Sequence, residues 1–141
     1  MITVRKQFVT KIKQNNKIVK IKHCIRTSSS YTKIINRDTS TWYVRGKLGR
    51  FGQPACIDLR RIALFSDVYD ERIEMWRCNG KIHRFGGPAY VKMREGKSVE
   101  ETWFNNDLLH RPPHIGPAHT VYLNTGLLKT WYNYGKFMFV Y

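Results

Sequence analysis

Three histidines, His110, His114 and His119, fall within one ten-residue stretch, and three cysteines, Cys24, Cys56 and Cys78, stand elsewhere in the chain. Imidazole and thiolate are the ordinary protein ligands of zinc. The spacing matches no common zinc signature and no Cys-x-x-Cys is present, so a zinc site is the lesser reading and no metal or other cofactor is expected. Carboxylate chemistry is poorly served too. The ten acids are scattered, and the adjacent Glu100 and Glu101 would point to opposite faces of a strand and could not act as a pair. There is no Gly-x-Ser-x-Gly, phosphate loop or Gly-x-Gly-x-x-Gly, and Phe85-Gly86-Gly87-Pro88 reads as a corner. No catalytic residue is assigned, and the expectation is that the protein is not an enzyme.

Cationic chemistry is abundant. The 141 residues carry a formal net charge of +15, and residues 1–37 hold ten Lys and Arg with no acid. Lys11, Lys13, Lys17, Lys20, Lys22 and Arg26 form the densest group. Clustered cations bind phosphates by releasing counterions. They equally meet an acidic protein surface, or keep an edge strand solvated. The two binding readings together outweigh the solvated one, and the residues do not separate nucleic acid from protein. No helix-turn-helix, RNA-recognition or zinc-finger motif is present.

The elements that carry these residues read as strands. Val19, Ile21, His23 and Ile25 alternate with Lys20, Lys22, Cys24 and Arg26, and Phe8, Thr10 and Ile12 with Val9, Lys11 and Lys13. Period two predicts a hairpin with an apolar face and a lysine-rich face, turning at Gln14-Asn15-Asn16. Thr27 to Ser30 reads as a polar loop, Tyr31 to Ile35 as a short strand, and Asn36 to Ser40 as a turn.

From residue 42 a pattern recurs. Trp76-Arg-Cys-Asn-Gly-Lys-Ile-His-Arg-Phe-Gly-Gly-Pro-Ala89 is its fullest copy. Trp42 to Ala55, Trp103 to Ala118 and the partial Trp131 to Phe137 are the others, with spacings between the tryptophans of 34, 27 and 28 residues. A fixed period of this size marks a repeat architecture. Asn79-Gly80 predicts a tight primed turn, and Asn106-Asp107 a less favourable version of it. Tyr90–Met93 and Val99–Phe104 read as strands around a turn at Arg94–Ser98, and Thr120–Leu123 and Leu127–Tyr132 as strands around Asn124-Thr125-Gly126. Ile57 to Phe65 is open between a bulged strand and a short helix, and the longer first spacing points to an insertion in Ser66 to Glu71.

The fold expected is therefore all-β, a repeat meander or solenoid of hairpins whose aromatic core contains Trp42, Trp76, Trp103 and Trp131. His83 and His110 share one repeat position, where an imidazole is expected to bond a turn carbonyl. Arg50, Arg84 and Arg111 share another. They form either a ladder for carboxylates or phosphates, or, by preference, guanidiniums stacked on aromatic rings and bonded to backbone carbonyls. Phe137-Met-Phe-Val-Tyr141 is either a fully buried strand or an exposed edge. Phe137, Phe139 and Tyr141 would be an interface, and a partner is preferred because the last unit breaks off without a cap.

The repeated unit resembles the MORN-type repeat, in its divergent form with a Trp/Tyr-x-x-Asn-Gly-Lys-Leu-His-Arg-x-x-Gly-Pro-Ala core. Trp76 to Ala89 matches nearly throughout, Trp103 to Ala118 with a two-residue insertion, and Trp42 to Ala55 without the Asn, the His and the Gly before Pro. The resemblance implies a non-catalytic scaffold with no shared active site, of a form numerous in large DNA viruses, with bacterial relatives. One domain, 1–141, is expected, with a basic hairpin or cap at 1–40 and MORN-like repeats at 41–141. The function implied is a structural or interaction protein in a large assembly, most concretely a small basic virion component, a minor capsid or internal cement protein. The alternatives are a nucleic-acid-binding protein that coats or condenses genome, and an intracellular antitoxin-like binder. No apolar run reaches the roughly 20 residues of a membrane helix, and residues 1–22 have no apolar signal core. Three separated cysteines fit a reducing compartment, so a virion or intracellular location is expected, without secretion.

Overall fold

A computed structural model of the chain describes the backbone of residues 6–14, 17–28 and 31–141, and the side chains of residues 32–141. Its conformation is set by tight turns. Arg45-Gly46, Asn79-Gly80, Glu95-Gly96, Asn106-Asp107 and Tyr134-Gly135 each place two successive residues at positive φ. This is the primed geometry whose twist matches that of paired strands. Asn79 and Gly80 sit at φ 51° and 84°. Asn106 and Asp107, at 48° and 70°, adopt the same turn without a glycine.

Between these turns the described residues are strands and connecting loops, with no helix among them. The strands are β1 (Lys6–Gln14), β2 (Lys17–Ser28), β3 (Tyr31–Asn36), β4 (Thr39–Val44), β5 (Lys47–Leu48), β6 (Cys56–Leu64), β7 (Asp67–Met75), β8 (Arg77–Cys78), β9 (Lys81–Ile82), β10 (Tyr90–Arg94), β11 (Lys97–Thr102), β12 (Phe104–Asn105), β13 (Leu108–Leu109), β14 (His119–Leu123), β15 (Gly126–Asn133) and β16 (Lys136–Val140). Twelve of them form one sheet in the order β1-β2-β3-β4-β6-β7-β10-β11-β14-β15-β16, with β5 attached to β4. Every described pairing is antiparallel. The strand order follows the chain order, so the sheet is an open meander. β8–β9 and β12–β13 are two-stranded hairpins that leave the main sheet and return to it.

Several sequence expectations need correction. Residues 57–64 are an unbroken strand, since β6 pairs with β7 in continuous register from Cys56–Met75 to Leu64–Asp67, and Phe65 stands in the turn at φ 58°. The long first spacing is therefore no separate insertion at 66–71. Two nine-residue strands extend the hairpin on both sides of its tip, where β10 and β11 have five and six residues. β2 runs through Thr27 and Ser28, which were expected in a loop; Asn15-Asn16 and Ser29-Ser30 lie outside the described residues. In the first hairpin the register sets Lys11 opposite Ile21, Lys20 opposite Ile12 and Lys22 opposite Thr10.

The interior is thin. Among the described residues Trp42, Ala55, Ala89, Val91 and Ala118 are the buried apolar residues, and no large side chain is fully buried. Of the four tryptophans only Trp42 is buried, at 7% exposure; Trp76, Trp103 and Trp131 are half-buried. One face of the sheet carries charge pairs within and across strands. Arg60 Nε donates to Asp58 at 2.7 Å, and Arg94 meets the buried Glu71 at 3.3 Å. Glu100 lies 3.6 Å from Lys92 Nζ and 3.1 Å from His119 Nε2.

Candidate functional site

Each of the three fuller sequence units builds the same backbone clasp. The tryptophan amide donates to the alanine that closes the unit: Trp42 to Ala55 at 2.8 Å, Trp76 to Ala89 and Trp103 to Ala118 at 2.7 Å. The tryptophan carbonyl accepts from the residue seven positions on, from Gly49 at 3.0 Å, His83 at 3.2 Å and His110 at 3.0 Å. The alanine of each clasp is fully buried, which leaves no room for a larger side chain. The chain between is thereby looped out as a short hairpin with a Gly- and Pro-containing corner.

The arginines close the clasp. Arg50, Arg84 and Arg111 lie over the rings of Trp42, Trp76 and Trp103 at 4.1, 3.8 and 4.0 Å. Arg84 Nη1 donates to the Pro88 carbonyl at 3.2 Å, and Arg111 Nη1 to Pro117 at 3.4 Å. Small residues make the space. A Cβ on Gly87 would stand 2.8 Å from the Arg84 guanidinium carbon, and one on Gly116 would stand 2.6 Å from Arg111 Nη1. These three arginines are thus held within their own units.

Successive units are stitched through their turns. Gly80 N donates to Leu48 O at 2.8 Å, Asp107 N to Ile82 O at 2.9 Å, and Gly135 N to Leu109 O at 2.8 Å. The histidines belong to this seam. Nδ1 of His83 accepts from Asn106 N, and Nδ1 of His110 from Tyr134 N, both at 3.3 Å. The imidazoles therefore accept from a turn amide of the following unit, where a bond to a turn carbonyl was expected. His110 also stacks on Tyr134, with centroids 3.8 Å apart.

The histidine trio is not gathered into a site. His110 is in the seam, His114 is exposed, and His119 meets Glu100. Among the described residues no three His, Cys, Asp or Glu side chains are arranged to hold a metal ion. Cys56 is half-buried and Cys78 exposed, and both are free thiols. Burial, with Asp58 nearby, pushes the Cys56 thiol above its ordinary range, and Arg77 opposes this only in part. Burial also raises the Tyr90 phenol, reinforced by Glu100 and Glu71. Glu100 and Glu101 face opposite ways: Glu100 bonds His119, while Glu101 accepts from Tyr122 at 3.2 Å.

Two surfaces remain. The first is a cavity of about 440 Å³ between the loops of the first two units. Arg50, Phe51, Trp76, Arg77, Cys78, His83, Arg84 and Phe85 are among the residues lining it. Phe51 and Phe85 are 81% and 86% exposed. Sequence reasoning did not single out these phenylalanines, although Arg-Phe-Gly occurs at both positions and Gly52 and Gly86 both take positive φ. The second surface is the end of the sheet. Among the described residues β16 pairs with β15 alone and is exposed along its whole length, so the fully buried alternative for this strand does not hold. Trp131 stacks on Phe139 at 4.6 Å, and Phe137 meets Tyr132 edge-on at 5.8 Å. Tyr122, Leu123, Leu127, Leu128, Met138 and Val140 are exposed around them. The side chains of Lys11, Lys13, Lys17, Lys20, Lys22 and Arg26, the basic binding residues expected from sequence, lie outside the described residues.

Fold and surfaces together define an all-β protein built as an antiparallel meander. No family model, curated protein or solved structure matches the chain.

Proposed function

We propose that this is a non-catalytic interaction protein that functions as part of a larger assembly, with the β14–β16 end of the sheet as its protein-binding surface. The observation that carries this reading is the cluster of exposed aromatic and aliphatic side chains on three consecutive strands ending in an edge. Monomeric surfaces rarely present a contiguous apolar patch of this kind without a use for it. Residues 119–141 contain Lys129 and Lys136 and no acid, so the surface suits an apolar partner strand flanked by carboxylates. The recurring clasps support reading the sequence units as structural repeats, stacked through their turns around the Trp and Ala positions. The resemblance to MORN-type repeats narrows the reading to a small basic virion component, a minor capsid or internal cement protein.

The test is site-specific photocrosslinking of the full chain in the cells or particles that produce it. A photoreactive residue replaces Tyr141 in one variant and the fully exposed Phe65 in a control. A discrete adduct with one other protein from position 141, absent from position 65, is the expected result. The same products from both positions, or none from either, would refute the surface.

A further inference from the structure

We infer that the cavity between the first two units binds single-stranded nucleic acid, with a base held against Phe51 and Phe85 and the backbone phosphates drawn by the surrounding cations. This site is separate from the β14–β16 surface and does not depend on that reading.

Four observations converge. First, the two phenylalanines line one cavity and are both more than four-fifths exposed. They stand on glycine corners at equivalent positions of successive units, and Phe85 is braced edge-on by His83 at 4.5 Å. Exposed aromatic rings beside a positive groove are the recurring device for holding unpaired bases, because every base has a stacking face. Second, the charge is of one sign. Residues 42–55 contribute Arg45, Lys47 and Arg50, and residues 76–89 contribute Arg77, Lys81 and Arg84, and neither stretch contains an acid. Arg45 and Lys47 line an adjoining depression that shares Phe51 and Asn79 with the main cavity. Third, the volume of about 440 Å³ lies within the roughly 300–1,000 Å³ of small-ligand pockets, enough to accept a base while its sugar and phosphates stay outside.

Fourth, the walls favour a base over a peptide added as a strand. A peptide bound by strand addition would need a free strand edge to pair with. Here the turn of the second unit already donates Gly80 N to Leu48 O across the seam, and Arg77 Nη1 donates to the Gly80 carbonyl at 3.0 Å. A stacked base makes no such demand. Duplex is disfavoured because its bases are already stacked on one another and offer no free face to the rings.

The experiment uses the full chain with short fluorescein-labelled poly-dT and poly-U oligonucleotides, read by anisotropy. Salt is held near 0.2 M, where contacts made by phosphates alone have weakened by orders of magnitude. Phe51→Ala, Phe85→Ala and the double variant are compared with the parent. Thermal melting checks that the fold is retained, as expected for side chains this exposed. Each single substitution should weaken binding by about 5- to 160-fold, the span of one base–aromatic stack. Cys78 lines the same cavity, so bound oligonucleotide should also slow its modification by a maleimide, while Cys56 is unaffected. Binding of the double variant as tight as the parent's would overturn the site. So would failure of the parent to bind, displacement of the oligonucleotide by inorganic phosphate alone, or stronger binding of an acidic phenylalanine-containing peptide.

Discussion

Gly87→Ala would test the arginine clasp with a single methyl group. Gly87 is buried, and its φ is not among the positive ones, so an alanine there meets no backbone strain. The added Cβ would fall 2.8 Å from Arg84 Cζ, 2.9 Å from Nε and 3.0 Å from Nη1. The guanidinium must move. In moving it gives up its seat 3.8 Å over Trp76 and its bond to the Pro88 carbonyl at 3.2 Å. A partly desolvated cation–π contact is worth about 0.5–2 kcal/mol. A hydrogen bond from a charged donor adds about 1.5–3 kcal/mol when buried, and less at this half-buried arginine. Against these stands a gain of about 0.4–1 kcal/mol from the reduced freedom of the unfolded chain. The net expectation is a loss of about 1–3 kcal/mol. For a chain of this size that lowers the melting temperature by roughly 2–4 °C per kcal/mol. The assay is urea unfolding followed by tryptophan fluorescence, run as a double-mutant cycle with Arg84→Ala. Without the guanidinium the methyl group has nothing to displace, so Gly87→Ala should become neutral or slightly stabilising in that background. An equal loss in both backgrounds would refute the clasp, as would no loss with Arg84 present.

Gly80→Val should cost about 1–3 kcal/mol, because a β-branched residue resists the φ of 84° that this turn imposes. The effect should be read by urea unfolding, and an unchanged midpoint would remove the turn from the account. Peptide-level mass spectrometry of iodoacetamide labelling near pH 8 should find the exposed Cys78 modified well before Cys56, whose raised pKa and partial burial both slow attack. The raised pKa values of Cys56 and Tyr90 also fix a sign. Both groups hold their protons more tightly when folded than when unfolded. Their contribution is therefore intact below the ordinary thiol and phenol pKa values and is lost as the pH climbs through the folded ones. Unfolding midpoints should fall on the alkaline side, and a rise there would contradict the burial of these two groups.

The class of the fold was legible because its signals are local. Asn79-Gly80 announces its turn, and Tyr90–Met93 and Thr120–Leu123 announce strands within a residue of those observed. The recurrence of Arg50, Arg84 and Arg111 at one repeat position favoured guanidiniums stacked on aromatic rings, and Arg84 lies over Trp76. What failed depends on residues distant in the chain. The direction of the His83 bond was misread because its donor, Asn106 N, belongs to the next unit, and nothing in the local pattern identifies it. Residues 57–65 stayed open between strand and helix, and the 34-residue spacing was placed at 66–71, because the pairing of Arg60-Arg61 with Asp70-Glu71 that lengthens both strands lies across the hairpin and is invisible along one strand. The exposed Phe51 and Phe85 escaped notice because an aromatic residue after an arginine reads as core until its neighbours are known.

Because strand order equals chain order, the length of this sheet is a free variable. Each unit closes its bonds with the units immediately before and after it, through one turn amide and one strand edge. Removing residues 76–102, one period, would leave Met75 followed by Trp103 and bring β14 to the edge of β7 that β10 occupies now. No strand would have to thread past another. Duplicating the same stretch would lengthen the sheet by the same logic. Contacts of such short sequence separation also form quickly, and the time to form them grows little as units are added. On the repeat reading proposed above, the meander is a ruler whose reach changes in whole periods while the joint between any two periods stays the same.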